Sequence, residues 1–159
     1  MHGKLQECNM WEERLGGCGL IVDTTEYIWN WYERKNVPLL LIHGEPGIGK
    51  SSLVKMIAAT MTSSAKTNGM VAVVELHRLS FGDTETALET VRKYIEQEYP
   101  YFLDINYDGK RLLIIDGLDE IKYKVYEKAN ELVRNSESYR WEVPCTCIIS
   151  GRTQIVKKA

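Results

Sequence analysis

Several things are missing from this chain, and each absence excludes something. No apolar run comes near the roughly 18 residues that a membrane span requires, so no segment calls for a lipid environment. Charge of one sign is missing too. The 20 Lys and Arg stand against 22 Asp and Glu, a net charge of -2, so there is no bulk field to draw in nucleic acid or an anionic membrane. Arg152, Lys157 and Lys158 form a small basic cluster that reads as a solvated end. The start, MHGKLQECNMWEERL, mixes charges and lacks the apolar centre of a secretion signal. Cysteine is sparse: Cys8, Cys18, Cys145 and Cys147 do not space like a disulfide framework. A CxC pair without a second close pair or a nearby His is also poor zinc spacing. Reduced, partly buried thiols in a cytoplasmic protein are expected instead.

What is present is ordinary in bulk and specific in pattern. The chain has 159 residues and is 44% apolar and 26% charged, enough for one domain with a real core. Asp23, with Glu26 behind it, predicts a helix through about Lys35 with Ile28, Trp31 and Tyr32 on one face. LLLIH after Pro38 is an apolar run without alternation, as a strand covered on both faces requires. A helix over 49–62 follows, with Leu53, Val54, Ile57 and Met61 inward, and then a polar loop, SSAKTNG. MVAVVEL, 70–76, is a second such strand, and Asp83 is the expected cap of a helix over 84–98. YPYFLDINYDGK is a loop with room for one helical turn, RLLIID a third strand, 122–137 a helix, and CTCIIS a fourth strand opened by Pro144. This alternation predicts an α/β fold: an open parallel sheet of about four strands with helices on both faces.

Between the first strand and its helix lies Gly44-Glu45-Pro46-Gly47-Ile48-Gly49-Lys50-Ser51, which matches G-x-x-x-x-G-K-[ST] and is followed by Ser52. Glycines let the backbone turn tightly and bring its amides close to phosphate. Those amides form an anion nest, and the following helix adds its positive end. Lys50 is the point charge for the β- and γ-phosphates, and Ser51 offers a hydroxyl to Mg²⁺. A chance match in a chain this long is on the order of one in a hundred.

A phosphate loop needs a second strand that ends in a carboxylate for Mg²⁺. LLIID supplies Asp116. The next position, where many such ATPases carry a Glu that polarises the attacking water, is Gly117. The carboxylate that reaches that water must then come from Asp119 or Glu120. The longer Glu120 is the favoured base or water-positioner. Asp119 supports it, contacts Mg²⁺ through water, or simply caps the next helix.

GEPGIGKSSL followed by LLIIDGLDE resembles the NACHT branch of the STAND class of P-loop NTPases. There the magnesium Asp is followed by a small residue, with acids three and four positions later; Asp116, Gly117, Asp119 and Glu120 match in place. CIISGRT resembles the family's strand with a polar end and an Arg that senses the γ-phosphate, here Arg152. The resemblance implies an ATP-driven switch that binds ATP or ADP with Mg²⁺ and hydrolyses slowly. It implies signalling in immunity, cell death or antiviral defence by nucleotide-dependent oligomerisation, with self-association or further domains of the same protein as partners. It places Ile21 and Val22 where adenine contacts come from. It implies a sheet in which the sensor strand lies between the phosphate-loop strand and the magnesium strand. On this reading residues 1–22 are an N-terminal segment and 23–159 a NACHT-like P-loop NTPase domain truncated after the sensor strand, with the phosphate-loop strand at a sheet edge.

Two other readings stand beside it. A small phosphotransferase would need a mobile lid with arginines, and the candidates are Arg78, Arg92 and Arg111. A non-catalytic module would hold nucleotide for structure or assembly. No Asn/Thr-Lys-x-Asp stretch of the guanine-reading kind is present, which favours adenine.

Overall fold

The computed structural model describes residues 4–6, 21–34, 38–44, 50–137, 141 and 143–152. Contacts divide the chain into Met1–Asn36 and Val37–Ala159.

In the first unit, β1 (Lys4–Gln6) pairs antiparallel with β2 (Ile21–Asp23), Lys4 opposite Asp23. Strands of three residues leave almost no periodic trace, and this pair was not expected. Helix α1 (Thr24–Glu33) follows directly. Its Ile28, Trp31 and Tyr32 are buried, as their helical spacing requires.

The second unit is built on β3 (Leu39–His43), α2 (Lys50–Ser63), β4 (Val71–Glu75), α3 (Ala87–Glu98), β5 (Leu112–Asp116), α4 (Val125–Glu137) and β6 (Thr146–Gly151). All four strands are parallel, in the order β3-β6-β5-β4. Strand β6 thus lies between β3 and β5, as the resemblance implied for the sensor strand, and among the described residues β3 is an outer strand.

Alternate side chains go to opposite faces of the sheet. Ala72, Val74, Leu113, Ile115, Cys147 and Ile149 share one core with Val91 and Ile95 of α3 and Leu132 and Val133 of α4. Helix α2 packs on β4 and β5, and its buried Val54, Ile57 and Met61 stand outside that core, on the other face. This is the three-layer α/β arrangement of a P-loop NTPase core. Every residue of β5 and β6 is buried, as apolar runs without alternation require.

Two helix starts differ from expectation. Asp83 does not cap α3. Thr86 does, with its hydroxyl accepting the Glu89 N–H at 3.1 Å, because Thr-x-x-Glu offers a capping box three residues further on. Asp83 instead pairs with Lys124 at 3.2 Å. The last helix starts at Val125 rather than 122 because Lys124 has φ +47°, a left-handed conformation that a helix cannot contain.

The predicted loop after α3 has one 3-10 turn, Pro100–Leu103. Arg111, only 3% exposed, holds this segment. Its guanidinium donates to the carbonyls of Phe102 (2.6 Å), Asp104 and Tyr107 (3.1 Å).

Candidate functional site

Parallel strands bring their carboxyl ends to one edge, and ligands of open α/β sheets bind there. Here the register aligns Glu75 with Asp116, Ile42 with Ser150 and His43 with Gly151. The ladder continues one step further, with Gly44 N–H donating to Gly151 O at 3.4 Å. The phosphate-loop motif therefore leaves the sheet at this edge. Glu45, Pro46, Gly47, Ile48 and Gly49 lie outside the described residues. Helix α2 begins at Lys50, and its first turn, with Ser51 and Ser52, holds no acid. Its positive end is left for an anion.

Two strands over in space, each of the acids has its own partner. Asp116 is 8% exposed. Ser150, fully buried at the end of β6, donates its hydroxyl proton to Asp116 Oδ1 at 2.5 Å. Ser150 Oγ in turn accepts the Gly117 N–H at 3.0 Å. One hydroxyl thus orients the Asp116 carboxylate and satisfies the first amide after the strand. Ser150 was not singled out beforehand; the only signal was a polar residue closing an apolar strand.

Gly117 has φ +90°, which L side chains rarely adopt. A Cβ there would lie 2.8 Å from Glu120 Oε1. The Glu120 side chain thus folds back, through the 3-10 turn Leu118–Glu120, over the position that lacks a side chain. Its other oxygen, Oε2, lies 3.3 Å from His77 Nδ1.

Asp119 is turned the other way. Its Oδ1 accepts the backbone N–H of Arg152 at 3.0 Å, and Oδ2 lies 3.4 Å from Arg152 Nε. It does not cap α4, which starts further on. Asp116, Gly117, Asp119, Glu120 and Arg152 are therefore brought together. The side chains of Lys50 and Ser51, like those of Ile21 and Val22, lie outside what is described.

The lid arginines have other partners. Arg111 is enclosed as above. Arg92 pairs with Glu96 within α3 at 3.2 Å, and Arg78 with Glu75 at 3.1 Å. Among the described residues no group of three His, Cys, Asp or Glu could hold a metal by itself. A cation at this edge would draw on Asp116 together with Ser51 and phosphate oxygens, a hard-oxygen donor set that suits Mg²⁺. Cys145 and Cys147 are buried and free, with Sγ atoms 4.0 Å apart. The contact with Cys147 and then burial push the Cys145 thiol well above its ordinary range.

A parallel sheet with a phosphate-loop motif after its outer strand and a buried Asp ending β5 at the same edge defines a P-loop NTPase core. The model of the NACHT domain matches residues 38–156, and the chain belongs to the NACHT family, a branch of nucleotide-binding NTPases. No curated protein matches it. Among the described residues, no helix is long and apolar enough to cross a membrane.

Proposed function

We propose that this chain is the ATP-binding, slowly hydrolysing switch module of a STAND-type signalling protein, acting in the cytoplasm. Family membership supports nucleotide binding. Hydrolysis is supported by one observation above the rest: the Glu120 carboxylate lies over Gly117, the position from which related ATPases polarise water.

The roles divide as follows. The backbone N–H groups of Gly44–Gly49, those of Glu45 and Ile48 among them but not Pro46, which has none, cradle the phosphates with the α2 N-terminus, and Lys50 supplies the charge. Asp116 uses Oδ1 for Ser150 and offers its second oxygen, with the hydroxyl of Ser51, to Mg²⁺. The bound cation would neutralise charge on the phosphates. Glu120 accepts a proton from the attacking water or orients it. Asp119 holds Arg152 at the strand end, from which its guanidinium answers the γ-phosphate. Signalling follows if the nucleotide state controls assembly with further copies or domains, in immunity, cell death or antiviral defence.

ATP turnover tests this. Lys50→Ala is expected to abolish Mg-nucleotide binding, read by titration with a fluorescent nucleotide. Glu120→Gln is expected to bind ATP normally and turn over about 100-fold more slowly. Intact binding by Lys50→Ala removes the nucleotide site, and wild-type turnover by Glu120→Gln removes the base.

A further inference from the structure

The turn that follows β4 carries a residue that the roles above do not use. Leu76–Arg78 forms a 3-10 turn at the same sheet edge, beside the turn Leu118–Glu120 that follows β5. It presents the His77 ring between two carboxylates. Nδ1 lies 3.3 Å from Glu120 Oε2, and Nε2 lies 3.5 Å from Glu75 Oε2. Glu75 is held in turn by Arg78 Nε at 3.1 Å and sits opposite Asp116 in the strand register.

We propose that His77 is a positioning residue for Glu120. The inference rests on the reading of Glu120 as base or water-positioner. Glu120 is on a one-turn element, and its side chain is 40% exposed. Nothing in the turn's own backbone fixes where a three-torsion side chain ends. Two contacts do: the open space above Gly117, where Oε1 rests, and the imidazole at Oε2. One oxygen is thereby anchored from behind, and the other is left over the slot that faces the nucleotide edge. The Glu75–Arg78 pair keeps the ring from swinging away. As a source of stability the arrangement is slight, because ion pairs this exposed contribute little. As a source of geometry it matters, because misplacing a reacting group by about 1 Å costs on the order of 100-fold in rate.

The test is a double-mutant cycle on ATP turnover by the full chain with Mg²⁺, joined to a spectroscopic reading without nucleotide. His77→Ala is expected to lower kcat about 10-fold with KM for ATP unchanged, in a chain whose circular dichroism and nucleotide-binding stoichiometry match wild type, which separates the effect from a loss of fold. In a Glu120→Gln background, His77→Ala should have no further effect. The Nδ1 nitrogen resonance of His77, in the nucleotide-free chain, should move on Glu120→Gln and stay in place on Asp119→Asn. Equal losses on His77→Ala in both backgrounds overturn the proposal, and so does a resonance that ignores Glu120→Gln, whatever the turnover. Wild-type turnover by His77→Ala with Glu120→Gln impaired removes this inference alone. Wild-type turnover by Glu120→Gln removes the base and this inference with it.

Discussion

Strands β3 and β6 are neighbours in one sheet, yet they are placed in opposite circumstances. Strand β6 is paired on both sides and every residue in it is buried. Among the described residues β3 pairs only with β6, and Leu39, Leu40 and Leu41 are half-buried. Each delivers part of one site. The inner strands carry Asp116, the last residue of β5, and Ser150, next to last in β6, locked together by a buried hydroxyl. The outer strand ends at His43, and Gly44, where the phosphate-loop motif begins, follows it. On the proposed reading, the metal side of the site is made from the interior and the phosphate side from the rim. Changes at the first should cost fold and chemistry together; changes at the second should cost chemistry first.

The largest expected contrast is in stability. Ile149→Ala removes a fully buried side chain from a two-sided strand and should cost about 2–5 kcal/mol. Leu41→Ala, on the rim, should cost roughly half as much, since part of its surface is already wet. Urea unfolding of both variants measures this, and equal losses would break the contrast.

Next in size is Ser150→Ala, which leaves the Gly117 N–H and Asp116 Oδ1 buried without their partner. A loss of about 1–3 kcal/mol is expected, together with a higher Mg²⁺ requirement for nucleotide binding. A wild-type melting curve for this variant would show that the hydroxyl is not holding the two strand ends.

Gly117→Ala should cost about 1–2 kcal/mol from the left-handed backbone alone. Its Cβ would also push Glu120 from its place, so turnover should fall while nucleotide affinity stays. Unchanged turnover would separate Glu120 from the slot it fills.

The smallest effect belongs to an exposed pair far from this contrast. Hydrogen bonding from Tyr123, then the hydrogen bond and charge of Lys124, hold the Asp83 carboxyl below its usual range. A depressed carboxyl stabilises the fold above its unfolded value and loses that contribution as pH falls through its folded value. The difference in melting temperature between wild type and Asp83→Asn should be constant near neutrality and vanish in acid.

Much of this was legible in the residues. Apolar runs without alternation marked all four strands of the parallel sheet, because strands covered on both faces leave that trace. The phosphate-loop motif and the Asp ending LLIID pointed to one place, and the fold brings Gly44 and Asp116 to the same sheet edge. The strand order was not readable from spacing; it came with the family resemblance, because chain rhythm does not say where a crossover lands. Ser150 was invisible as an orienting group since its two bonds reach across more than thirty positions of chain. His77 escaped for the same reason: its partners are set by two turns meeting at an edge. Asp83 was mistaken for a cap because Thr86, three residues on, competes for the same helix and wins with a better box.

Asp119 holds Arg152 by two handles, its amide and its guanidinium. In mechanical terms this makes the carboxylate a pin through the end of β6. A force that reaches the chain at Arg152 is carried to the turn bearing Glu120 within one side chain, without first having to bend the sheet.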